Sequence, residues 1–150
     1  MKSLLLTALV LLPAFAYAQA THPKPQPKDD LILIQTQDSS ATALKKLAQV
    51  FVSQGYTVEK LDREFLTLTL APKTLAVRNS PALTARATAT AGASSTLRLT
   101  GEYKAFIGSI PANDVAQLGG SENGLYSRTF RALEAAALTY PGGQVSYGKQ

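Results

Sequence analysis

The chain has no cysteine, no tryptophan and a single histidine, His22. Each absence removes a class of chemistry. Without cysteine there is no disulfide, no thiol nucleophile and no thiolate-held metal. One histidine, set among prolines rather than in a patterned segment, leaves a serine nucleophile without a fixed base. Acidic residues are few, 10 against 15 Lys and Arg, which gives a net charge of +5. A basic surplus favours anionic partners. Here the cations are scattered, with Lys45 and Lys46 as the close pair. They read as a solvated surface and not as a nucleic-acid footprint.

One apolar run stands at the start. Lys2 precedes "LLLTALVLL", Pro13 breaks the run, and "AYA" at Ala16–Ala18 follows. Charge, apolar stretch and small-x-small site in that order predict a signal peptide over residues 1–18. The run is short of the ~20 residues that span a bilayer. The absence of cysteine argues against lipid anchoring. The expected address is periplasmic or secreted, and Lys2 leaves with the leader.

Residues 19–29, "QATHPKPQPKD", read as a proline-rich tether, because Pro23, Pro25 and Pro27 favour extended backbone. Residues 30–150 then form one domain. "LILI" (Leu31 to Ile34) is a short strand buried on both faces. "DSSATALKKLAQVFVSQGY" is a helix: Asp38, Ser39 and Ser40 offer an N-cap, Leu44, Leu47, Ala48 and Phe51 keep helical spacing, and Gly55 ends it. A hairpin follows, with Tyr56, Val58 and Lys60 on one face of its first arm and a turn at Asp62–Glu64. In its second arm Leu66, Leu68 and Leu70 face inward, Thr67 and Thr69 outward.

The stretch to Pro81 is irregular, and a second hairpin turns at Gly92–Ser95. Its first arm is apolar at every second position from Leu83, but the apolar residues after Leu83 are Ala85, Ala87, Ala89 and Ala91. Such a face suits a closely docked helix, and the small patch Ala135–Ala137 nominates the second helix, "LYSRTFRALEAAALTY". A groove for an acyl chain or another small apolar ligand between helix and sheet is the alternative. Residues 105–124 read as a long connection with one helical turn near Asp114, and "QVSY" as a short last strand.

The fold expected is α+β, a two-layer sandwich. A mostly antiparallel sheet of about five strands carries both helices on one face. A ferredoxin-like split βαβ is the alternative. Order and motifs, "SQGYTVEKLDREFLTLTLAP" and "LRLTGEYK" among them, resemble small exported bacterial proteins of unknown function over Asp30 to Tyr147. The topology is also similar to the domains of the C-subunit lipoprotein of the outer-membrane β-barrel assembly machine and to TATA-binding-protein-like folds. The resemblance implies a fold and no reaction. The missing lipobox cysteine departs from the lipoprotein.

Site chemistry is sparse. Gly119-Gly120 lacks the phosphate-loop pattern. Asp62 and Glu64 flank Arg63 in a solvated turn, and Asp29-Asp30 read as strand-entry charges. No catalytic residue, cofactor or metal is assigned. The outward sheet face collects Thr67, Thr69, Arg86, Thr88, Arg98 and Thr100, with Thr84, Glu102 and Lys104 beside them. If Gly92 faces Thr96, Arg86 stands opposite Glu102. This face is the candidate binding surface, for an anionic cell-wall polymer or an envelope protein.

Ile32, Ile34, Phe106 and Ile107 are the candidate interface. In a two-layer sandwich one side of the first strand needs a cover, either the connection through Phe106 and Ile107 or another chain, as in a weak homodimer. The function expected is a non-enzymatic binding or scaffold module of the cell envelope. An exported carboxylate-dependent hydrolase acting on cell-wall glycans is the competing class.

Overall fold

The computed structural model describes residues 21–77, 79–119, 121 and 124–150; the expected signal peptide lies outside them. The elements run β1 (Leu31–Thr36), α1 (Ser40–Ser53), β2 (Val58–Asp62), β3 (Thr67–Leu70), β4 (Lys73–Thr74), β5 (Ala82–Ala89), β6 (Ser95–Ile107), β7 (Ile110–Val115), α2 (Leu125–Leu138) and β8 (Gln144–Gly148). The architecture is α+β with an antiparallel sheet and two helices. The sheet has eight strands, in the order β2-β3-β5-β6-β1-β8, with β4 on β5 and β7 on β6.

That count corrects the expectation of about five. The irregular stretch before Pro81 contributes β4. The supposed connection after Lys104 is the far end of β6, a turn and β7, so Asp114 lies in a strand and not in a helical turn. Pro111, Asn113 and Asp114 are poor strand formers, but an edge strand with one paired side tolerates them.

Strand alternation sorts the side chains. Ile32 pairs with Leu99, Ile34 with Leu97, and Leu68 with Ala87, which itself pairs with Leu99. These residues share one core cluster with Leu44, Leu47 and Phe51 of α1 and Phe130, Leu133 and Ala137 of α2. Ile32 and Ile34 are 1% and 0% exposed there. The helix layer is their cover, so they are not an interface, and neither the Phe106–Ile107 segment nor a second chain is needed. Leu31 and Leu33 take the opposite face and are buried as well.

The alanine face finds its helix, though not the one expected. α1 packs on β5 and β6, whereas α2 packs on β6 and β1. Ala85 and Ala87 are 1% exposed. Ala136 and Ala137 of α2 are buried and Ala135 faces out. What seats α2 is Gly101, since a Cβ there would stand 2.6 Å from Leu133 Cδ1 and 3.1 Å from Leu83 Cδ1.

Two further details differ from the sequence reading. A bulge between Val58 and Lys60 puts Val58 opposite Leu70 and Lys60 opposite Thr69, so they take opposite faces. In the β5–β6 hairpin Arg86 pairs with Thr100, and Glu102 with Thr84, two residues away from the expected Arg86–Glu102 pair. The Thr96 amide donates to Thr90 Oγ1 at 2.9 Å, and this closes the loop over residues 91–95. A slip of two keeps each side chain on its face.

Polar ties fasten the helices. Lys73 Nζ donates to the Gln54 carbonyl at 2.6 Å, just past the end of α1, and sits 4.0 Å over the Tyr56 ring. Tyr147 OH donates to Glu134 Oε1 at 2.9 Å, which ties β8 to α2. Asp38, before α1, accepts from Lys46 Nζ at 2.7 and 2.8 Å, from Tyr140 OH at 2.8 Å and from Thr36 Oγ1 at 3.1 Å. The Lys46 ammonium, then the Tyr140 hydroxyl, hold the Asp38 carboxyl below the usual aspartate range. Burial, with Asp38 alongside, pushes the Tyr140 hydroxyl up to about 12.

Two predictions follow from this packing. Gly143 has no room for a side chain: a Cβ would meet Ile34 Cγ2 at 2.6 Å and Tyr140 Cδ1 at 2.8 Å. Gly143→Ala should therefore lose about 1–3 kcal/mol in urea denaturation, and an unchanged midpoint would refute the close fit. For Asp38 the folded pKa is the lower one. Its contribution is full above the ordinary value near ~3.9 and fades as pH falls through the folded value. Asp38→Asn should lower Tm at pH 7, and the deficit relative to wild type should shrink on acidification.

Candidate functional site

The pairing registers align the outward side chains in transverse rows. One row crosses the sheet as Asp62, Thr67, Thr88, Arg98, Leu33 and Ser146. The next holds Lys60, Thr69, Arg86 and Thr100, and a third holds Thr84, Glu102 and Val115. Neighbouring strands lie ~4.8 Å apart, so each row, apart from Leu33 and Val115, is a ladder of hydroxyls and charges.

A concavity of about 410 Å³ opens on this face. Five of the six sequence-predicted surface residues line it: Thr69, Arg86, Thr88, Arg98 and Thr100. Thr67 pairs with Thr88 but stands outside the lining. Thr84, Glu102 and Val115 also line a second depression of about 540 Å³, which continues past Lys104, Asn113 and Asp114. The two depressions share Thr84, Glu102 and Val115 and so adjoin along β5, β6 and β7, as one groove in two parts.

Arg86 is exposed, between Thr69 on β3 and Thr100 on β6. Arg98 is less exposed and is already engaged within the protein. A guanidinium offers a planar fork of donors that matches a carboxylate or phosphate. Threonine hydroxyls donate and accept, as the hydroxyls of a sugar do. The groove can thus hold a hydroxylated chain that carries anionic groups.

Val115, Asn113 and Asp114 join the site because β7 extends the sheet, which the sequence reading missed. Gln150 joins because its amide N–H donates to Asp30 Oδ1 at 2.8 Å. The signal for β7 was the pattern of Gly108-Ser109 between two isoleucines, a two-residue hairpin turn.

The single histidine is not loose. His22 exchanges two backbone hydrogen bonds with Tyr147, at 3.0 and 2.9 Å, and adds an isolated bridge to the outer edge of β8. Its Nε2 lies 2.7 Å from Oδ2 of Asp29, which also accepts from the Gln26 amide at 2.6 Å. Asp29 is fully buried, and its backbone pairs with Leu118. The segment read as a spacer is tied to the domain at His22, Lys28 and Asp29, while most of its other residues from 21 on stay exposed. His22 takes the side of the sheet that Tyr147 takes. Ser146 takes the other by strand alternation, so the His–Asp pair is not aligned on that serine.

No three or more of His, Asp and Glu gather as a metal-ligand group among the described residues. No helix among them is long and apolar enough to cross a membrane. Comparison with family models and with curated proteins gives no match for this chain.

The clasp makes its own prediction. His22→Ala would leave a fully buried carboxylate short of a partner and should cost about 1–3 kcal/mol of stability. Faster amide exchange at Tyr147 should accompany it. A variant as stable as wild type, with Tyr147 still protected, would show that the clasp does not hold the segment.

Proposed function

We propose that the protein is an exported, non-enzymatic binding module of the cell envelope, and that its outer sheet groove takes an anionic glycan. One observation carries the reading. Three transverse rows bring Arg86, Arg98, Glu102 and the threonines around two adjoining depressions, on the face away from the core. A groove that runs on past Lys104 suits a linear polymer better than a compact metabolite. Its exposed cations, Arg86 and Lys104, suit carboxylates or phosphates on that polymer. The order of charge, apolar run and small-residue site before residue 19 supports export, and the resemblance to small exported bacterial proteins is in keeping with it.

The test is titration of the protein with a uronic-acid oligosaccharide and with its methyl ester, followed by backbone amide shifts. The acid form should perturb Thr69, Thr84, Thr88 and Thr100, and the ester should bind more weakly. Arg86→Ala should weaken the acid form by about 10–100-fold, the range of a charge-assisted hydrogen bond, with the fold unchanged. Equal binding of acid and ester would remove the anionic part of the proposal. Release of new reducing ends from the oligosaccharide would replace a binding module with a hydrolase.

A further inference from the structure

Past Lys104, β6 runs beyond β5 and continues with β7 as a two-stranded ribbon. Residues 105–112, "AFIGSIPA", contain no charge. All six residues 106–111 are exposed, with Phe106 at 66%, Ile107 at 56% and Ile110 at 71%. Ile107 pairs with Ile110 across a two-residue loop in which Gly108 leads with φ +66°. A glycine at that position is the mark of a type II′ hairpin turn. The tip is therefore built and paired in the free protein, and apolar side chains of this size seldom face water together without a role.

From this geometry we infer that the β6–β7 tip seats in the interface of a lipid bilayer, among headgroups and upper acyl chains. Both faces of the ribbon are apolar: Phe106 stands opposite Pro111 on one, and Ile107 opposite Ile110 on the other. A protein groove would cover one face of such a wedge, whereas lipid covers both. Polar residues, Lys104 and Asn113, pair at its neck. From Ala105, the first residue past that pair, to the turn at Gly108 is three residues, about 10 Å at strand rise, the upper end of the ~5–10 Å that interfacial segments enter.

The ribbon's outer edges set the limit. β5 no longer pairs with β6 beyond Lys104, so backbone groups there need water or headgroups, and deeper burial is costly. Glu102 and Asp114 near the neck outnumber Lys104, so attraction to anionic lipid is left to the net positive charge spread over the rest of the chain.

The full chain lacks tryptophan, so Phe106→Trp places one fluorescent reporter at the tip. Vesicles of phosphatidylethanolamine with phosphatidylglycerol should shift its emission to the blue, and lipids brominated high on the acyl chain should quench it. Because the reporter reads residue 106, entry of the N-terminal apolar run into lipid does not mimic the result. Ile110→Asp in the same background should lower the tip's partition at least about tenfold. Three results would overturn the inference: no shift with the fold intact by circular dichroism, full partition of the Ile110→Asp form, or a concentration-dependent shift without vesicles, which would mean pairing of tips between two copies.

Discussion

Strand alternation along β6 is the constraint on which the rest of the structure hangs. Over Ser95–Ile107 its odd residues from Leu97 to Tyr103 face the helices, and its even residues from Thr96 to Lys104 face outward. One edge is taken by β5. The other is divided between β1, up to Leu99, and β7, from Glu102 onward. Core, groove and tip are thus three uses of a single strand. A slip of one residue would put Arg98 under the helices and Leu99 in the groove.

The same strand sets how closely the second layer approaches. Gly101 has no side chain, Ala85 pairs with it on β5, and Leu133 of α2 fills the space above. Small residues at the centre of the sheet let large ones on the helices do the packing, with Phe51 and Phe130 fully buried to either side. Dense interiors are usually met this way, by alternating size across the facing layers. The alanine stripe of β5 is explained by that rule.

Both helices and the first hairpin were legible because their signals are local: helical spacing from Leu44 to Phe51 and from Phe130 to Ala137, and period two over Leu68 and Leu70. Leu66, however, falls in the turn, with φ +51°, and not on the second arm. The outward face was legible for the same reason, and five of its six residues meet in the groove. What failed depended on which residues pair across strands, near or far in sequence. The bulge at Val58 and the loop closure by Thr90 shifted registers that composition does not fix. Strand β7 was hidden because Pro111 and Asn113 look like loop until a neighbour such as β6 supplies one side. The N-terminal prolines suggested a spacer, yet Asp29 is buried against a local partner, His22, and the pairing of His22 with Tyr147 reaches across more than a hundred residues.

That N-terminal segment also bears on how the sheet ends. β8 exposes its outer edge, and an unpaired edge invites another strand. The bridge at His22 satisfies both backbone groups of Tyr147, and Pro23, directly after it, has no amide proton with which to extend the ladder. The chain thus covers one position of its own edge and stops. Among the described residues the β6–β7 ribbon has no such cover, and its base contributes Glu102 and Val115 to the groove. From Glu102 to Gly108 is about 20 Å along a strand. With the tip among lipid headgroups, the groove would stand just above the membrane surface, where envelope polymers are met.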